Sequence, residues 1–544
     1  MTGNGESPTT PNPRSWEHAK RDNPGERRRK RRAPAVNPRP VGDPNDPQPL
    51  VRGGRGHPDT AAPYPDRPYR HEIRREDRRG GELSPRASAL HLMMMWDSRK
   101  NISIEGLLKG LFKAVEIEPS ERRFIAQLCY GSVRLRGTLR FISERMLNQP
   151  LSRHPRTVRA ALSLGLYQAV YLRTPDHAVV DTTIDAWRAI AGGEIRGFEE
   201  KRWSGVLNAV LRRVCSRIQR LSTDVEDPDD AVWTPEGWCR LQKLGLPSAK
   251  ENAALRLGIQ FGHPAEMVRL WLDRFDLETL RAMMKRNNDP PPLYLILRQP
   301  LAVADQLERL RETGIEASEV TSDPRAVEVL RPGAIEALPG FDGGDFWVKD
   351  VSARRLALMM PERVGCRLLD LCCAPGGKLA TLLDRGKFSS VLAVDVSDRK
   401  LRLVVENLER LRLSDRPVRL LETSREATLR VDENFDQILV DAPCSNSGVF
   451  NRRHEARWRF LPEVLRGLEG IQLGLLRSAV RHLAADGDLL YTTCSIEPAE
   501  NSAIVHALLR QEPDLRLVEE VEILPGDGGG DGGYGALLKR SGGL

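Results

Sequence analysis

A chain of 544 residues is too long for one compact core, and a spacing of about 150 residues per domain sets an expectation of three or four units. It contains no run of about 18 uncharged apolar residues, and its first residues are polar and proline-rich with no apolar signal core, so a soluble, unsecreted protein is expected. Eight cysteines without a CxxC pair argue against a zinc site or disulfide framework and for free thiols in a reducing cytoplasm, while a formal charge of +8 suits an anionic partner such as nucleic acid.

Most of that charge is local. Residues 1–82 carry 18 Lys and Arg against 12 Asp and Glu, and 14 of the 38 prolines, which leaves only +2 for the rest of the chain. With few apolar residues and the run Arg27-Arg28-Arg29-Lys30-Arg31-Arg32, this segment cannot bury a core and is expected to be a disordered basic tail, either touching RNA phosphates or merely solvated. From 84 to 221 apolar residues recur at helical spacing, as in Val158, Ala161, Leu162, Gly165, Leu166, Ala169 and Val170, which predicts an all-α domain of about five to seven helices. Residues 222–240 are acidic and broken by proline, and read as a linker. Residues 241–345 mix helical stretches with the strand-like Leu293-Tyr294-Leu295-Ile296-Leu297, a small α+β subdomain. From 346 to 544, short apolar runs at 368–371, 391–394, 438–440 and 489–491 alternate with helix-length segments, the pattern of a parallel, doubly wound α/β sheet.

All four of those strands lead into residues that carry chemistry. The first runs into Cys372, Cys373, Ala374, Pro375, Gly376, Gly377 and Lys378, where two glycines let the backbone approach a ligand closely. Neither GxGxxG nor GxxxxGK[ST] is present, so a dinucleotide or triphosphate cradle does not fit. Nineteen residues beyond Gly376, Asp395 ends the next strand, where a carboxylate can accept from both hydroxyls of a ribose; together these suit an adenosine-bearing cofactor without a pyrophosphate. The competing reading is a plain tight turn with Asp395 capping a helix. Asp441 and Cys444 follow another strand and Cys494 the next, and a doubly wound sheet would bring both thiols to the cofactor edge. A cysteine after a strand is ordinarily a small buried filler, the reading kept for Cys129, Cys215, Cys239 and Cys366; the polar surroundings of Cys444 and Cys494 weigh against it there.

With DAPCSNSGV at 441–449 and TTCSIEPAEN at 492–501, the chain resembles the RNA cytosine-C5 methyltransferase family. The resemblance implies a Rossmann-like class I fold that uses S-adenosyl-L-methionine, with Cys494 as nucleophile and Cys444 as the cysteine that assists release. It makes Cys372 to Lys378 the cofactor loop, and Asp395 and Asp441 further acids of the cofactor pocket or active site. Carbon 5 of cytosine is too poor a nucleophile to attack a methyl sulfonium, so a thiolate first adds to carbon 6, while Asp441 serves nitrogen 3. Two positions depart from the family pattern: Glu422 stands where an aspartate usually contacts the adenine side, and Lys349 where glutamine is common. Tyr130-Gly131-Ser132-Val133-Arg134, His177-Ala178-Val179-Val180-Asp181 and residues 207–213 resemble a NusB-like RNA-binding fold, which points to the bacterial branch acting on small-subunit (16S) ribosomal RNA. No metal is expected, and a monomer is. The alternatives are the same chemistry on transfer RNA, or a non-catalytic RNA-binding assembly factor, which would need neither thiol.

Overall fold

The computed structural model describes residues 83–98, 102–192, 195–331, 333–423 and 429–541; the expected basic tail over 1–82 lies outside them. Among the described residues seven α-helices come first: α1 Pro85–Ser98, α2 Ile104–Ala114, α3 Pro119–Arg134, α4 Arg136–Leu147, α5 Arg156–Tyr171, α6 Asp176–Ala191 and α7 Phe198–Cys215. The apolar stripe of α5 is buried along its whole length, and Ala160, Leu164 and Gln168 are buried too, so this helix is the centre of the bundle and not one of its faces. Sequence also sets the ends: the Ser103 side chain accepts from Gly106 N at 3.0 Å to start α2, and Asn148 in the left-handed conformation stops α4.

The segment read as a linker is a β-hairpin instead. Strands β1 Ile218–Arg220, β2 Ala231–Thr234 and β3 Gly237–Leu241 form an antiparallel sheet in the order β1-β3-β2. Side chains alternate across it: Val232 and Cys239 enter the helical-domain core, whereas Ala231 and Trp238 enter the next one. The acidic stretch before the hairpin is anchored, because Asp227 accepts from buried Arg256 at 3.1 Å and from Gln260 at 2.9 Å.

Residues 241–345 are likewise not one subdomain. Helices α8 Ala249–Phe261, α9 Ala265–Leu272 and α10 Leu277–Arg286 share a core with Trp238, Phe450, Phe460 and Ile496. Strands β4 Leu293–Leu297, β5 Ala317–Glu319, β6 Ala326–Val329 and β7 Phe346–Val348, with helix α11 Val303–Glu312, build a separate antiparallel sheet in the order β5-β6-β4-β7. The boundary expected at 346 therefore falls inside a sheet, since Phe346 is fully buried and pairs with Leu297.

After α12 Val351–Ala357 comes the large sheet: β8 Arg367–Leu371, α13 Gly377–Arg385, β9 Ser390–Asp395, α14 Asp398–Arg410, β10 Val418–Glu422, β11 Phe435–Asp441, α15 Pro462–Arg481, β12 Leu483–Thr493, α16 Ser502–Leu509, β13 Leu515–Ile523 and β14 Gly533–Arg540. Its order is β10-β9-β8-β11-β12-β14-β13. Five strands are parallel, but β14 is antiparallel to both neighbours, so the sheet is mixed where a purely parallel one was expected. The short connection from β13 to β14 carries no crossover helix, which a parallel pairing would need. Both faces are covered: Leu369, Leu371, Ile438 and Val440 enter one core, and Leu368, Leu439 and Leu490 the other. The order reverses between β8 and β11, which is where an open α/β sheet offers a crevice at its carboxyl edge. Among the described residues no helix is long and apolar enough to cross a membrane.

Candidate active site

The crevice at this reversal gathers most of the residues singled out in the sequence. Beyond β8, Cys372 (φ +62°) and Gly376 (φ +94°) turn the chain back into α13. Gly376 N donates to Cys373 O at 2.8 Å, and Asn407 of α14 donates to Pro375 O at 2.9 Å, so the loop is held from both sides. A Cβ at Gly376 would meet Val404 Cγ1 at 3.3 Å, whereas one at Gly377 would approach only Lys349, with Nζ at 3.5 Å. The Cys373 side chain is packed in the core beneath, so this residue can serve a ligand only through its backbone.

Asp395 is 1% exposed at the end of β9. It accepts from Ala374 N at 3.2 Å and pairs with Lys400 at 3.2 Å, which ties the second strand to the glycine loop and leaves the helix-capping reading without a bond. Glu422 sits directly across from it at the end of β10. Its carboxylate is exposed and accepts from Asp398 N at 3.1 Å, at the start of α14.

Four ionisable groups, Lys378, Asp441, Asp370 and Lys349, meet deeper in the crevice. Lys378 Nζ lies 2.6 Å from Asp441 Oδ1, which also accepts from Thr492 Oγ1 at 3.0 Å. Burial works against the Lys378 ammonium, but the charge and hydrogen bond of Asp441, with Cys494 and Asp370 adding to them, raise its pKa overall. Asp370, on the strand beneath, is 1% exposed and neither carboxyl oxygen has a hydrogen-bond partner. Burial, then the Asp441 charge, push this carboxyl well above the usual range. Lys349, from the chain just after β7, is pushed well down by burial and by the neighbouring Lys378.

The two thiols are adjacent because β11 and β12 are paired, with Asp441 opposite Thr492. Cys444 Sγ and Cys494 Sγ stand 3.2 Å apart as free thiols, and Cys494 Sγ also lies 3.3 Å from Asn446 Oδ1. The contact with Cys494, then burial, raise the Cys444 pKa well above the ordinary thiol value.

One residue that matters was not legible as such. Glu500 is fully buried and clamps both cysteine loops: it accepts from Ser445 N at 2.8 Å, from Ser495 Oγ at 2.6 Å, from Gln472 at 3.1 Å and from the Ser445 hydroxyl. It lies within TTCSIEPAEN, but nothing in that string separates a buried clamp from a surface glutamate. Gly448 is a second such position. A Cβ there would fall 2.5 Å from the Gly532 backbone, and Gly448 N donates to Cys494 O at 3.0 Å.

Comparison with known proteins gives the family and the fold. The family model for the 16S rRNA methyltransferase RsmB/F matches residues 357–528, and that of the NusB family matches residues 83–216. Ribosomal RNA small subunit methyltransferase B of Cronobacter sakazakii is 30% identical over 434 residues, covering 78% of this chain and 92% of the relative. That of Serratia proteamaculans is 31% identical over 418 residues, covering 77% and 88%. The crystal structure of PH0851 shares the fold, with a TM-score of 0.66 at 18% identity over 85% of this chain and 99% of that one. With its paired thiols, its glycine loop and relatives matched over nearly their full length, the chain belongs to the RsmB/F methyltransferase family and carries a NusB-family domain ahead of the catalytic one.

Proposed function

We propose that this methyltransferase transfers a methyl group from S-adenosyl-L-methionine to carbon 5 of a cytosine in RNA, and that the RNA is small-subunit (16S) ribosomal RNA. The observation that carries the chemistry is the pair of thiols 3.2 Å apart beside the Lys378–Asp441 ion pair. The substrate rests on the relatives' names and on the NusB-family domain.

The crevice fits such a cofactor. A glycine turn that can approach a ligand closely, Asp395 at the neighbouring strand end, and a buried Asp370 carboxyl with no partner suit a molecule bearing a ribose and a cationic methionine end. Cys372 to Lys378, Asp395 and Asp441 are the residues assigned to hold it, with Glu422 at the outer edge. When bound, S-adenosyl-L-methionine supplies the electrophilic methyl group for carbon 5.

Cys494 adds as a thiolate to carbon 6, with the Lys378 ammonium among its charged neighbours. The electron pair displaced through the ring gathers at nitrogen 3. Asp441, hydrogen bonded to Lys378 through Oδ1, passes a proton of the Lys378 ammonium to that nitrogen and takes it back when the thiolate leaves. Once carbon 5 is methylated, a base takes its proton and the carbon 6–sulfur bond breaks. Cys444, held as a neutral thiol, hydrogen bonds to the departing sulfur and favours its expulsion.

Bisulfite sequencing of ribosomal and transfer RNA from cells carrying the parent protein, a deletion or Cys494→Ala tests chemistry and substrate together. Loss of a small-subunit cytosine mark in both mutants is expected. A mark lost from transfer RNA alone would overturn the substrate, and unchanged RNA throughout would favour a non-catalytic assembly factor.

A further inference from the structure

The helical domain contains a cavity of about 340 Å³ between α1, α4 and the start of α5. Four arginines line it: Arg136 and Arg140 from α4, and Arg156 and Arg159 from the first turn of α5. Asp97 is the acidic residue in its wall. It accepts from Arg136 at 3.1 Å and from Arg159 at 2.8 Å, and so sets two guanidiniums side by side with further N–H groups to spare. Arg140 is balanced by Glu144 at 3.0 Å, whereas Arg156 makes no hydrogen bond or ion pair among the described residues. Four guanidiniums against two carboxylates leave a local charge of +2 on a body whose residues beyond 82 carry only +2 in all.

Charge alone would describe a solvated surface; the rest of the lining does not. Met93, Leu139 and Ala160 are buried and face the cavity, with Leu151 and the Trp96 ring beside them. Arg136 stacks on Trp96 at 5.0 Å from the ring centroid, which holds both planes in place. The hydroxyls of Ser152 and Ser163 also line the cavity, and neither makes a hydrogen bond among the described residues. An apolar wall, an aromatic plane, free hydroxyls and a basic rim are the components that recognise an unstacked nucleotide: base, ribose 2′-hydroxyl and phosphate in turn.

We propose that this cavity is a second RNA site, which takes one unpaired nucleotide of the substrate strand and holds its flanking phosphates on Arg156 and Arg140. The proposal rests on the RNA substrate inferred above and adds where the strand is held outside the catalytic crevice. The helical domain that holds the cavity packs against the segment that follows Cys444. A Cβ at Gly137 of α4 would touch Trp458 at 2.7 Å, and Trp458 donates to Val133 O at 2.7 Å from the loop that follows Cys444.

The test uses the full-length protein and two double variants, Arg140→Glu with Arg156→Glu, and Arg140→Lys with Arg156→Lys. Both positions are exposed, so neither change disturbs the core. Affinity for a labelled single-stranded RNA of mixed sequence is measured across a salt series, with DNA of the same sequence and cytidine monophosphate as competitors, alongside methylation kinetics. The glutamate pair should lose about 1.4 from the slope of log affinity against log salt and bind roughly tenfold or more weakly at about 0.1 M salt, with the loss falling on KM. The lysine pair should keep the slope, and RNA should compete better than DNA. A glutamate pair with the parent's affinity and slope, while the parent methylates RNA, would overturn the cavity and leave the methyltransferase reading standing. Displacement of the strand by low concentrations of the free nucleotide would overturn the assignment to a strand, and a parent that neither binds nor methylates RNA would overturn both readings.

Discussion

Two sulfur atoms 3.2 Å apart cannot both carry charge at little cost, so one of the pair has to stay protonated when the other ionises. Contact with Cys494 and burial raise the Cys444 thiol, which suits the proposed assignment of Cys494 as the attacking cysteine and Cys444 as its protonated neighbour. The sequence marked both thiols by their polar flanks, and the crevice brings them together. It could not mark Asp370, because an aspartate inside the apolar run 368–371 looks like any strand residue until its two oxygens are found without partners. That buried carboxyl has its pKa raised by folding, so the folded state binds its proton more tightly. Its contribution is most favourable below the unfolded carboxylate pKa and is lost as pH rises toward the folded value. Asp370→Asn should therefore raise the Tm of the ligand-free protein at pH 8 by about 2–4 °C, with the gain vanishing near pH 4, and should weaken binding of S-adenosylmethionine. Scanning calorimetry at the two pH values with calorimetric titration of the cofactor checks this; a lower Tm at pH 8 would mean that the carboxylate is stabilised by a partner.

Elements convert those residues into a site. Because β11 and β12 pair in parallel register, residues 50 positions apart in sequence emerge side by side, and the loops that carry them are then tied to each other through Glu500. Replacing Glu500 by Ala removes the acceptor of Ser445 N and of two hydroxyls, so both cysteine loops lose their common anchor. We expect a fall of roughly 10–100-fold in the single-turnover methylation rate, with smaller loss in Glu500→Gln, which keeps one acceptor, and little change in RNA affinity. Equal losses in both variants would point to the charge of Glu500 and not to its geometry. The apolar runs announced the strands of this sheet because they are buried on both faces. The hairpin 231–241 was hidden by its acidic, proline-containing flank, whose charge is used internally by Arg256. The antiparallel β14 depends on a missing crossover helix, which composition does not display.

Across the whole molecule, the helical domain and the catalytic sheet meet on the segment that follows Cys444. Glu455 accepts from Ile104 N at 3.0 Å, and Arg453 pairs with Glu105 at 3.2 Å. Fully buried Arg457 donates to Gly262 O at 3.0 Å, Asn288 Oδ1 at 2.9 Å and Asn287 O at 2.8 Å. The two main bodies were readable from the chain, one by helical periodicity and one by alternating strands and helices. Their junction was not, because it is built from backbone carbonyls and scattered arginines that no local pattern predicts. Everything in the proposed reaction turns on a covalent bond between Cys494 and carbon 6 of cytosine. RNA carrying 5-fluorocytidine, which has no carbon 5 proton to lose, should stop the full-length protein after methyl transfer, and mass spectrometry of the digested complex should place the nucleotide on the peptide containing Cys494. A nucleotide on Cys444, or methylation of ordinary RNA with no adduct on the fluorinated strand, would contradict it.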